Sequence, residues 1–173
     1  QMEIANATVN YFEQLYSDSE EDVSDKIIQC FEPSIDNEQN KMLVDTPNTK
    51  ESHDDLFTLN IDSVAGPDGF TNKFFMFYWD ILQGELTNAV IDFFKSAYIP
   101  FGMNSCFISL IAKMDNAIDI KDFRPVAMGN TVPNLISKII THQLGNIVGE
   151  TISSNRFGFV PGRNIQNCLC TSS

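Results

Sequence analysis

Lys113 and Arg124 are the residues whose types and spacing first suggest chemistry. Each adjoins a short apolar run of strand length: Cys106 to Ala112 ends before the lysine, and Phe123 to Met128 contains the arginine. Paired as a hairpin, these runs leave a loop of about ten residues and bring both cations near one tip. An ammonium point charge beside a planar guanidinium fork could clamp a polyanion such as a triphosphate. The competing reading is two exposed surface cations. Asp115, Asp119 and Asp122 in the intervening loop weaken the clamp, because they offset positive potential.

Gly158-Phe159-Val160-Pro161-Gly162-Arg163 is the second candidate. Glycines on a turn let the backbone approach phosphates closely, and an arginine can add a contact. An ordinary Gly-Pro turn explains the same residues. The aromatic series Phe70 to Trp79 could stack bases, but its helical periodicity predicts core packing instead. Asp54-Asp55 is an adjacent carboxylate pair of the type used in two-metal phosphoryl chemistry. It lies in a polar acidic stretch and reads better as helix-start acids. There is no P-loop, no Gly-x-Ser-x-Gly and no His-Glu pair of metalloprotease type. Cys30, Cys106, Cys168 and Cys170 with His53 and His142 lack zinc-site spacing. Reduced cysteines are expected, without a disulfide scaffold.

The elements that must position these residues follow from hydrophobic periodicity. Ala5, Val9, Phe12 and Tyr16 predict a helix over 2–16, and residues 17–50 read as a loop or linker with one short helix around Val23 to Phe31. Ser63 to Gly69 is a turn set by Pro67 and Gly69. Phe70, Phe74, Phe77, Tyr78 and Ile81 predict one helix, and Leu82, Leu86, Val90, Phe93, Phe94 and Ala97 a second, ended near Pro100. Pro125 suggests an edge position for the second strand. Ile136, Ile139, Ile140, Leu144 and Ile147 predict a further helix, capped at Asn130 or Thr131.

Charge divides the chain. Its net -12 comes from 23 acids and 11 bases, and residues 1–60 hold 14 of the acids with three lysines. The reading is an acidic leader over 1–60 joined to a near-neutral body over 61–173, so whole-chain charge does not exclude nucleic acid for the body. No apolar run approaches the roughly 18 residues of a membrane span, and Gln1 to Tyr16 has neither the basic start nor the apolar block of a signal peptide. No two Lys or Arg residues adjoin. The chain is expected to be intracellular, in nucleus or cytoplasm, with no membrane partner.

The order of motifs carries more than any one of them. Gly66-Pro67-Asp68-Gly69-Phe70 precedes Phe74-Phe75 and Trp79, then Val90, Phe93-Phe94, Pro100 and Asn104. Ile108-Ser109-Leu110-Ile111-Ala112-Lys113, Asp122-Phe123-Arg124-Pro125-Val126, Asn130, Ser137-Lys138, Leu144, Ile152-Ser153 and Gly158 to Arg163 follow, with Ile165. Over about residues 45–169 this series resembles the start of the reverse transcriptase of plant LINE-type, non-LTR retrotransposons. The resemblance implies an α+β fold, mainly helical with a small antiparallel β-hairpin, forming an incomplete fingers subdomain of a right-hand polymerase. It implies that Lys113 and Arg124 contact the incoming triphosphate, and that Gly162 and Arg163 lie along the template. RNA template and nucleotide are the partners of the full-length family enzyme. Mg²⁺ belongs to that enzyme, and no cofactor is expected in this chain.

The departures from the family pattern matter equally. The family's catalytic aspartates come after the segment matched here, so the expected function is a truncated RNA-directed DNA polymerase domain that is inactive alone. Ser63 stands where lysine is common, Ala112 where proline is, Pro133-Asn134 for Tyr-Lys, Gln143 for arginine, Arg156 for glutamine and Asn167 for aspartate. Three lost positive charges suggest a decayed element copy. The alternatives are a non-catalytic protein- or RNA-interaction module on the fingers scaffold, or a product that is not stably folded.

Overall fold

The computed structural model describes residues 2–17, 35–152, 160, 162 and 163. The short helix expected around Val23 to Phe31 lies outside them. In chain order the elements are α1 (Met2–Tyr16), α2 (Asn37–Val44), α3 (Thr49–Thr58), α4 (Asn72–Phe77), α5 (Trp79–Ser96), β1 (Cys106–Ala112), β2 (Phe123–Gly129) and α6 (Thr131–Thr151). A 3₁₀ turn over Ile120–Asp122 leads into β2. The fold is α+β: mainly helical, with one antiparallel two-stranded sheet. It falls into two compact units, residues 34–109 with 126–173, and residues 1–33 with 110–125.

The larger unit is built on three helices. Leu56 of α3, Trp79, Leu86 and Val90 of α5, and Val132, Leu135, Ile136 and Ile139 of α6 form one buried cluster. Each such side chain contributes about 1.5–3 kcal/mol by leaving water. Helix α3 packs on both α5 and α6, and α2 packs on α6. Both short helices lie within or just beyond the stretch read as a linker. Their starts are set by reciprocal capping. The Asp36 carboxylate accepts from the Gln39 N–H at 2.8 Å while the Gln39 side chain accepts from the Asp36 N–H at 3.1 Å. Asn48 and Glu51 do the same at 3.0 and 2.8 Å. Asp54 and Asp55 therefore sit well inside α3, and not at its start.

The aromatic series does not form one helix. Thr71 caps α4 by accepting from the Phe74 N–H at 3.3 Å. At Tyr78 the backbone leaves helical geometry (φ -98°, ψ 19°) before α5 begins. That break changes which side faces inward. Trp79 becomes buried, while Phe77 is 78% and Ile81 76% exposed. The expectation that the whole stripe packs in the core is thus corrected. In α1 the predicted helix is present, but only Phe12 of its described apolar positions is buried, with Val9 and Tyr16 exposed.

Gly66-Pro67-Asp68-Gly69 is a turn closed by the Gly69 N–H to the Gly66 carbonyl at 3.0 Å. A Cβ on Gly66 would meet the side chain of Asn130, and would come within 2.6 Å of its backbone nitrogen and 2.7 Å of the Gly129 carbonyl carbon. Only glycine fits there. Asn130 then ties three segments together. Its Oδ1 accepts from the Asp68 N–H at 3.2 Å, and its Nδ2 donates to the Met103 carbonyl at 2.9 Å and the Gly102 carbonyl at 3.4 Å. Next to it, the Thr131 hydroxyl donates to Asn72 Oδ1 at 3.0 Å, and Asn72 Nδ2 donates to the Asn60 carbonyl at 2.9 Å. This buried polar network fixes the end of β2 and the start of α6.

Candidate functional site

The two runs flanking Lys113 and Arg124 do pair, with β1 spanning the predicted residues and β2 one residue more than predicted. The Lys113 N–H donates to the Asp122 carbonyl at 2.7 Å, extending the ladder one step beyond the strands. With Lys113 opposite Asp122, Arg124 stands two residues on, and the period of two puts it on the same face. The diagonal spacing between such positions is about 7–8 Å, within reach of two long side chains. Both residues are exposed.

The loop between them, residues 113–122, organises itself. Asn116 takes the left-handed conformation at φ 61°. Asp119 caps the 3₁₀ turn by accepting from the Lys121 N–H at 3.2 Å, and Asp122 accepts from the Asp119 N–H at 3.2 Å. Two of the three loop carboxylates are thus directed at their own backbone. Lys113 Nζ donates to the Lys121 carbonyl at 2.5 Å, folding its amine over the loop. The guanidinium of Arg124 has no partner among the described residues. The hairpin thus presents one cation held at the tip and a second, exposed one on the same face, an arrangement able to take an anionic oxygen on each.

Gly162 and Arg163 lie in the larger unit, at the other predicted contact. The Arg163 N–H donates to the Val160 carbonyl at 3.2 Å, and Gly162 has φ 77°, a left-handed conformation that favours glycine. The Arg163 guanidinium reaches α6, where Nη2 donates to the Gly149 carbonyl at 2.9 Å and the Ile152 carbonyl at 3.0 Å.

Sequence reading missed one polar pairing. Asp55, buried on α3, lies 3.0 Å from Nδ1 of the more exposed His142 on α6, 87 residues away. A cavity of about 220 Å³ beside it is lined by Lys50, Glu51, Asp54, Gln143 and Asn146. A neighbouring one of about 320 Å³ involves Asp45 and Asn48. Their carboxylates disfavour phosphate. On the outer side of α3, a hydrogen bond with His53 and then one with Lys50 hold the Asp54 carboxyl below the usual carboxylate range. His53 also stacks on Phe57 with ring centroids 4.3 Å apart. Among the described residues no group of three or more His, Cys, Asp or Glu side chains is arranged to hold a metal ion. No helix of the described residues is long and apolar enough to cross a membrane.

A helical α+β chain with an exposed, cation-bearing hairpin defines the class structurally, and comparison adds ancestry. No protein-family model matches the chain. The chain is 30% identical over 129 residues to the uncharacterized 149 kDa protein of transposon TX1 from Xenopus laevis. That alignment covers 74% of this chain and 10% of the relative, so the chain spans about a tenth of the relative's length. The similarity supports a transposon origin for this chain.

Proposed function

We propose that this chain is a portion of an RNA-directed DNA polymerase derived from a LINE-type, non-LTR retrotransposon. It would supply fingers elements without the catalytic carboxylates. Lys113 and Arg124 contact the triphosphate of an incoming nucleotide, and the turn at Gly162 and Arg163 runs along the template. The observation that carries this reading is the hairpin register: it sets the two cations on one face of an exposed tip, in the motif order that the resemblance requires. The similarity to a transposon protein supports it from an independent direction. Polymerase chemistry needs two metals held by carboxylates. The 173 residues are therefore expected to bind nucleotide and RNA but to synthesise no DNA. Primer extension on an RNA template with Mg²⁺ or Mn²⁺ tests this. Product that persists through purification to homogeneity would refute the inactive reading.

One observation favours a second reading, a protein-interaction module on the same scaffold. Phe70, Phe77, Tyr78 and Ile81 are exposed near the junction of α4 and α5, and clustered exposed apolar side chains mark interaction surfaces. Binding of RNA with a steep salt dependence separates the first reading from this one.

A further inference from the structure

The turn at 160–163 is anchored on both sides of Gly162. Val160 is 5% exposed, and the Arg163 guanidinium holds the two carbonyls at the end of α6. The last carbonyls of any helix lack partners within it. Helix α6 has no basic residue in its own last turn to supply one. A guanidinium is permanently charged, and it is favoured both by the carbonyl oxygens and by the negative end of the helix dipole. Both hydrogens of Nη2 are directed at those carbonyls, 14 and 11 residues back in the chain.

We infer that Arg163 is a positioning residue: it latches the 160–163 turn to the C-terminal end of α6, so that the turn's backbone, and not the arginine side chain, meets template phosphate. The inference rests on the reading that this segment lies along the template. Gly162 keeps the turn open to close approach, because its left-handed backbone carries no Cβ. With Nη2 directed at the helix end, the Arg163 charge is offset by those carbonyls, so its side chain adds little to counterion release when RNA binds.

The test uses the 173-residue chain with Arg163→Ala and Arg163→Lys, and an unstructured oligoribonucleotide as probe. Two quantities are read: amide hydrogen exchange in the last turn of α6, and RNA affinity across a salt series. For Arg163→Ala the latch predicts exchange at residues 147–152 faster by about tenfold or more, since both charge-assisted bonds are lost. It also predicts an RNA affinity lowered at every salt concentration, with the slope of log K against log salt unchanged. Arg163→Lys keeps the charge but not the planar fork, so it restores protection only in part. A slope reduced by about one unit in Arg163→Ala, restored by lysine, with exchange unaltered, would overturn the inference and make Arg163 a direct phosphate contact. If the parent chain binds no RNA, the template reading fails. Exchange then still decides the latch, and unchanged protection in Arg163→Ala would refute it.

Discussion

Replacing Asn130 by alanine removes the knot that joins the Gly66 turn, the 102–103 segment and the start of α6. Three hydrogen bonds are lost. The 3.4 Å bond to the Gly102 carbonyl is long and counts for little. The bonds with Asp68 at 3.2 Å and Met103 at 2.9 Å are worth about 1 kcal/mol each. Leaving a part-buried N–H and a carbonyl without a partner adds about 1 kcal/mol more. The expected loss is thus about 3 kcal/mol, or roughly 6–12 °C in Tm for a chain of this size. Asn130 is also the N-cap residue of α6, yet its side chain makes no capping bond. This separates two accounts of the residue. Aspartate is as good an N-cap as asparagine, but it cannot donate to Met103. Asn130→Asp should therefore also destabilise, by about 1–2 kcal/mol. Thermal and urea unfolding followed by circular dichroism give both numbers. A Tm for Asn130→Ala within 2 °C of the parent (roughly 1 kcal/mol or less), or an Asn130→Asp variant as stable as the parent, would refute the knot.

Gly66→Ala drives a methyl into the backbone at Gly129 and Asn130, so it should cost about 1–3 kcal/mol. Gly84→Ala, in α5 with open space around it, should stabilise by about 0.4–1 kcal/mol; equal effects from the two in urea titrations would contradict the packing. The Thr87 hydroxyl is buried without a partner among the described residues. Thr87→Val should therefore raise stability by about 1 kcal/mol, and a fall in the urea midpoint would show that the hydroxyl is satisfied. The folded-state pKa of Asp54 is lowered, so its contribution is present above the unfolded-state pKa and is lost as pH falls through the folded-state value. Asp54→Asn should flatten the acid limb of the stability profile slightly, and high salt should erase the difference because the group is exposed. An NMR titration showing an ordinary Asp54 pKa would remove the basis for this.

Local signals were legible wherever burial or pairing followed a simple period. The run Cys106 to Ala112 marks β1 because polar residues bound it on both sides. Helix α6 is visible in the spacing of Ile136, Ile139 and Ile147, whose side chains pack inward. The shared face of Lys113 and Arg124 follows from hairpin parity once the strands pair. The acidic, weakly apolar composition of α2 hides that helix from periodicity, and for α3 the acids Asp54-Asp55 suggest a helix but misplace its start. The pairs Asp36 with Gln39 and Asn48 with Glu51 were nonetheless readable as capping boxes. The break at Tyr78 carries no proline or glycine to announce it, so the periodic pattern ran through it and assigned Phe77 and Ile81 to the core. The Asp55–His142 pair, the Gly66–Asn130 contact and the Arg163 cap join residues distant in sequence. Each depends on how helices and turns pack, which spacing alone does not encode.

The most direct test of the central claim is the affinity of the parent chain, Lys113→Ala and Arg124→Ala for a deoxynucleoside triphosphate, measured beside the same deoxynucleoside without phosphates. If the hairpin tip is a triphosphate site, the parent binds the triphosphate and not the nucleoside, added salt weakens that binding, and each substitution lowers the affinity. Equal binding of triphosphate and nucleoside, or an affinity that neither substitution changes, would contradict the assignment of these two cations to the triphosphate.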